Sequence, residues 1–104
     1  MEQIDFVHRL VQNYPKDFAL ATTADEVLQA FAQKKIPSLI GMEGGHSINN
    51  SLSTLRMMYQ LGARYMTLTH ACNTEWADCA QGPFVLGGLS VFGEYVVREM
   101  NRLG

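Results

Sequence analysis

Glu43 and His70 are the residues of this chain best placed to do chemistry. Glu43 follows the apolar run of residues 38–42 and precedes Gly44, Gly45 and His46. A carboxylate at the end of a strand can act as a general base or bridge two divalent ions through its two oxygens. Glycines beside it remove side-chain bulk and permit φ > 0, so a ligand can approach the backbone. The competing use is an acid that faces water or caps the next helix. His70 closes the stretch Thr67, Leu68, Thr69, His70. It can ligate metal or donate a hydrogen bond to a developing oxyanion, or simply bond to backbone at a loop entry. His46, in a polar loop, competes between shaping that loop and serving the site. His8 lies on an exposed helix position and reads as solvated.

Other candidates are weaker. Cys72 and Cys79 either form a local disulfide or stay reduced, and spacing does not decide between these. A zinc site built from them and His70 lacks the close paired spacing of structural sites. The glycine-rich run around Glu43 lacks the G-K-[ST] ending of a phosphate loop. Asn49, Asn50 and Ser51 match an N-glycosylation pattern, one that arises readily by chance. Trp76, Met57 and Met58 read as packing residues.

The composition is 47% hydrophobic and 17% charged over 104 residues, with net charge -2. That is a globular domain with a modest core. Only eight Lys and Arg are present, so no basic stripe exists to bind nucleic acid. No apolar run approaches the ~20 residues of a membrane span. The N-terminus is a mixed helical pattern, unlike a secretory signal.

The elements that must position Glu43 and His70 follow from periodicity. Ile4, Val7, Leu10 and Val11 predict an amphipathic helix over residues 2–13, ended before Pro15. Residues 17–22 form a weak strand. Thr23 and Glu26 form a capping box for a helix with Val27, Leu28 and Phe31 on one side. Residues 36–43 read as one strand buried on both faces, with Pro37 near its start. Residues 44–50 are loop. Residues 51–61 form a helix with Leu52, Leu55 and Tyr59 on one face, stopped by Gly62. Residues 64–70 form a strand, and 71–88 a long loop. Ser90 caps a last helix that buries Phe92, Val96, Met100 and Leu103.

Strands alternating with helices imply an α/β fold with parallel strands and right-handed crossovers. Such sheets gather chemistry at the carboxyl ends of their strands, so Glu43 and His70 emerge at one rim if their strands are neighbours. About three βα units leave raw parallel edges, which is unusual for a parallel sheet. The expected architecture is therefore part of a (β/α)8 TIM-type barrel, a fold of about 250 residues.

Residues 38–78 and 88–104, above all "EGGHS", "YQLGARYMTLTH" and "NRLG", strongly resemble the membrane (renal-type) dipeptidases, a family of zinc peptidases. The resemblance implies that residues 1–104 are a partial dipeptidase barrel domain. It implies two zinc ions and hydrolysis of dipeptides by a metal-bound hydroxide. Glu43 would bridge the metals, and His70 would bind substrate and stabilise the tetrahedral intermediate. Cys72 is the disulfide candidate, its usual partner lying nearer the N-terminus than this chain reaches. The remaining metal ligands are expected before residue 1 and after residue 104, so the chain alone is expected to lack dipeptidase activity. The family also implies a homodimer, held at the extracellular face of the plasma membrane by a GPI lipid anchor outside these residues. Residues 79–88 depart from the family pattern. The rival reading is an inactive truncated chain that self-associates through its open edges. A third is a small metal-independent α/β ligand-binding domain that uses the same rim.

Overall fold

The computed structural model describes all of residues 1–104. The chain opens with helix α1 (Glu2–Asn13) and strand β1 (Phe18–Leu20), then α2 (Ala24–Ala32), β2 (Ile36–Ser38) and β3 (Ile40–Met42). A 3-10 turn (Gly45–Ile48), α3 (Leu52–Gln60), β4 (Ala63–Met66) and α4 (Val91–Leu103) complete it. β1 pairs parallel with β2, and β3 pairs parallel with β4. The α/β class with parallel strands is as expected.

Residues 36–43 are not one doubly buried strand. The segment breaks at Leu39; its first half pairs with β1 and its second half with β4. Burial then alternates: Ile40 and Met42 are buried, Gly41 exposed. The physical reason is one-sided cover. Ile40 and Met42 join a core with Ile48, Leu55, Trp76 and Val96, beneath α3 and α4. On the other face the Tyr65 ring lies across Gly41, where a Cβ would sit 2.1 Å from it. β4 also ends earlier than expected, at Met66, and residues 67–70 lie outside the regular strand.

The caps follow sequence closely. Thr23, Ser51 and Ser90 each accept a backbone N–H three residues on, from Glu26, Thr54 and Gly93. The reciprocal arm of the capping box is displaced by one residue. The Glu26 carboxylate accepts from the Thr22 N–H and hydroxyl rather than from Thr23. Gly62 stops α3 in the left-handed region, at φ 109°.

Several side chains depart from expectation. Leu28 and Phe31 share a side of α2 but are 67% and 75% exposed, because only the Ala30 side meets protein. Met57 is exposed, whereas Met58 packs on the core. Ile48, in the supposed loop, is completely buried. His8 is not solvated. Its Nε2 donates to the Leu61 carbonyl at 2.7 Å, supplying a donor to a helix end that lacks one. Helix α4 buries Val96, with Phe92, Met100 and Leu103 against the core, as its spacing predicted. It also buries Glu99, held by Arg56 at 2.5 Å and Arg102 at 2.7 Å.

The radius of gyration is 15.7 Å, against about 13 Å for a compact chain of this size. The molecule is elongated, measuring 48 × 26 × 24 Å.

Candidate functional site

The end of β3 carries Glu43, and the chain leaving β4 carries His70. Because β3 and β4 are parallel neighbours, both residues reach the same rim. His70 Nδ1 lies 3.6 Å from Glu43 Oε1. That separation is longer than a hydrogen bond, and the contact is an ion pair only when the imidazole is protonated. Both side chains face solvent, 60% and 77% exposed, so their mutual attraction is weak and neither is tied down by it. The carboxylate is open to a ligand.

The backbone beneath this pair is held firmly. Thr67 N–H donates to the Met42 carbonyl at 3.1 Å. Gly44 N–H donates to Thr67 Oγ1 at 2.7 Å, and Gly45 N–H donates to the Leu68 carbonyl at 3.2 Å. Gly44 has φ 103°, a region that L side chains rarely adopt. Its missing side chain leaves room for the His46 ring, whose Cε1 would lie 2.3 Å from a Cβ there. His46 therefore shapes the turn while remaining exposed. At Gly45 a Cβ would meet the Leu68 carbonyl at 2.3 Å and Trp76 Cζ2 at 2.4 Å.

Trp76 is 1% exposed and packs edge-to-face on Phe92, centroids 6.4 Å apart. It is the packing residue that the sequence suggested, and its indole N–H is buried without an acceptor. The long loop is ordered by two side chains that spacing did not single out. The Asn73 side chain accepts from the Cys79 N–H at 2.7 Å and donates to the Pro83 carbonyl at 2.7 Å. Asp78 accepts backbone N–H groups from Val85, Leu86 and Gly88. Partial burial pushes the Asp78 carboxyl up, but these backbone bonds outweigh it and hold the group below the ordinary aspartate range. The signal was present: an Asp ahead of a glycine-bearing loop is a common turn organiser.

Cys72 is exposed and Cys79 buried, both as free thiols. Asn49 is exposed with φ 49°, and the Ser51 hydroxyl of the same triplet is engaged in capping α3.

The donor set for a metal is partial. Glu43 has the chemistry of a bridging ligand, and His70 stands beside it. No group of three or more His, Cys, Asp or Glu residues comes together to hold an ion. An apolar cavity of about 250 Å³, lined by Met42, Leu55, Tyr59, Tyr65, Met66 and Met100 among others, includes neither Glu43 nor His70. No helix is long and apolar enough to cross a membrane.

Comparison with known proteins gives this chain a family. The chain is 48% identical, over 106 residues, to dipeptidase verJ of Clonostachys rogersoniana, covering all of this chain and 27% of that protein. It is 47% identical over 109 residues to dipeptidase 3 of Mus musculus, covering all of this chain and 21% of the mouse protein. It thus spans about a quarter of the length of these curated relatives. Among solved structures, the probable dipeptidase PvdM from Pseudomonas aeruginosa superposes with a TM-score of 0.90 at 22% identity, over 96% of this chain and 27% of that one. An amidohydrolase from the same organism gives 0.91 at 22% identity, over 99% and 31%. These two show a shared fold. The model of the membrane dipeptidases, peptidase family M19, matches residues 1–104 from end to end, and the chain belongs to that family.

Proposed function

We propose that this chain is the Glu43-bearing segment of a zinc dipeptidase built on a (β/α)8 barrel. The observation that carries the reading is the 3.6 Å approach of His70 Nδ1 to Glu43 Oε1 at the carboxyl ends of adjacent parallel strands. In a dipeptidase-family chain, a free carboxylate and an imidazole at that rim are the groups a hydrolase needs.

Glu43 would be a ligand to the metal and would need further ligands from outside these residues. Zinc held there would contribute Lewis acidity and lower the pKa of a water toward neutral pH. His70 presents one ring nitrogen to Glu43. The other would serve the substrate carbonyl oxygen, where negative charge grows as the carbon becomes tetrahedral, when the imidazole carries a proton on that nitrogen. The turn at Gly44 and Gly45 keeps bulk away from the carboxylate, and Trp76 backs that turn. The substrate is a dipeptide. A membrane-anchored extracellular location and a homodimer rest on the family resemblance, through features outside this chain.

The test is zinc titration by calorimetry of the 104-residue chain and of a complete protein carrying this segment, each with Glu43→Gln. The expected result is specific zinc binding and dipeptide hydrolysis in the complete protein only, both lost in the variant. Zinc binding unchanged by Glu43→Gln would overturn the reading.

A second reading has one observation in its favour. Phe31, Phe84, Val85 and Val91 are each 70% or more exposed, apolar area that self-association of the isolated chain would cover. Sedimentation of the chain against concentration tests it: a monomer at all concentrations refutes it.

A further inference from the structure

We propose that Thr67 is the positioning residue for the Glu43 carboxylate, an inference that rests on the metal-ligand reading of Glu43. The register pairs Met42 with Met66, so Glu43 faces Thr67. In a regular parallel ladder the residue facing Glu43 donates its N–H to the carbonyl before it. It then accepts, on its own carbonyl, the N–H that follows. The first bond is kept: Thr67 N–H meets the Met42 carbonyl at 3.1 Å. The second is exchanged. Gly44 N–H goes instead to the Thr67 hydroxyl, at 2.7 Å.

Thr67 therefore grips the backbone on both sides of Glu43, once with main chain and once with side chain. The exchange has a geometric use. A main-chain acceptor would continue the strand, whereas the side-chain acceptor lets the chain turn at Gly44, with φ 103°, directly after the carboxylate. The next N–H, of Gly45, returns to main chain at the Leu68 carbonyl, 3.2 Å away. The hydroxyl is thus the one side-chain link in this row of contacts. Since the Glu43 side chain is 77% exposed and its contact with His70 is a long 3.6 Å, its aim is set by its backbone. Removing the Thr67 hydroxyl orphans the Gly44 N–H and loosens the carboxylate without touching it.

The test uses a complete dipeptidase carrying this segment, with residues numbered as here. Thr67→Val keeps the shape and removes the acceptor; Thr67→Ala removes it with less bulk, should valine fail to fold. Thr67→Ser restores the hydroxyl. Zinc Kd is measured by competition with a chromophoric chelator, and Gly44 amide exchange is followed in the metal-free protein. The expected result for valine and alanine is zinc binding weakened about 10-fold or more, with faster exchange at Gly44. Serine returns both toward the parent. A purely structural role would lower Tm in the valine and alanine variants and leave zinc Kd unchanged; that outcome overturns the proposal. Glu43→Gln separates the two levels. Loss of zinc in Glu43→Gln with parental Kd in Thr67→Val and Thr67→Ala defeats the Thr67 role alone. Unchanged zinc in Glu43→Gln defeats the metal-ligand reading and this inference with it.

Discussion

Replacing Gly45 by alanine tests the packing beneath the rim. Gly45 has an ordinary negative-φ backbone and does not join the glycines at positive φ, so alanine carries no conformational penalty there. The cost is steric. The new Cβ would stand 2.3 Å from the Leu68 carbonyl oxygen and 2.4 and 2.6 Å from two Trp76 ring carbons. Ordinary contact is roughly 3.4–4 Å, so one side must retreat by about 1 Å. Neither gives easily, since Leu68 presents backbone and Trp76 is 1% exposed. Overpacking of this kind costs about 1–3 kcal/mol, and a backbone obstacle points to the upper end. For a domain of this size, about 2–3 kcal/mol lowers Tm by roughly 10 °C or more. Thermal unfolding by circular dichroism is the assay, with Gly87→Ala as comparison. Nothing lies within 4 Å of a Cβ at Gly87, but its φ is 72°, which costs about 1–2 kcal/mol. Gly45→Ala should be the more damaging of the two, and Trp76→Phe should recover only part of the loss, since the Leu68 carbonyl remains. A Gly45→Ala protein as stable as the parent, or more stable than Gly87→Ala, would refute the reasoning.

Further outcomes follow from the same contacts. Ile48→Ala should cost about 2–5 kcal/mol, measured by urea unfolding, because Ile48 is fully buried; a surface-like loss of a few tenths would show that the 3-10 turn is not core. Ser90→Ala should cost about 1 kcal/mol by loss of the N-cap acceptor for Gly93 N–H, and Ser90→Asp should retain it. Hydrogen bonds from Arg102 and Arg56 hold the Glu99 carboxyl at about 2, below its ordinary 4.5. Its contribution is then complete above pH 4.5 and lost as pH falls from there toward 2. In Glu99→Gln the acid limb of a Tm-against-pH curve should flatten across that window, and an unchanged slope would count against the ion-pair network.

Much of this molecule was legible because its signals are local. The helices follow from apolar residues at 3.6-residue spacing and from Thr23, Ser51 and Ser90 at their starts, each of which caps as its type predicts. Strand–helix alternation put Glu43 and His70 at strand ends, on one rim if their strands were neighbours, and the β3–β4 pairing met that condition; the long match through "EGGHS", "YQLGARYMTLTH" and "NRLG" was enough for the family. What sequence could not supply was which faces would be covered. Leu28 and Phe31 look like core and lie open, while Ile48 looks like loop and is core. Apolar character says that a side chain gains from burial; only neighbours distant in sequence decide whether anything is there to bury it.

The amino-acid sequence by itself determined the family, the parallel α/β order and the identity of the two chemical groups at the rim. The tertiary structure alone decided that the strand bearing Glu43 breaks at Leu39 and is buried on one face, that His8 serves the end of α3, and that Thr67 holds the backbone on both sides of Glu43. The division has a physical cause. Periodicity and capping act between residues three or four apart, whereas the Gly44–Thr67 and His8–Leu61 bonds join residues 23 and 53 apart, and such partners exist only once the chain has packed.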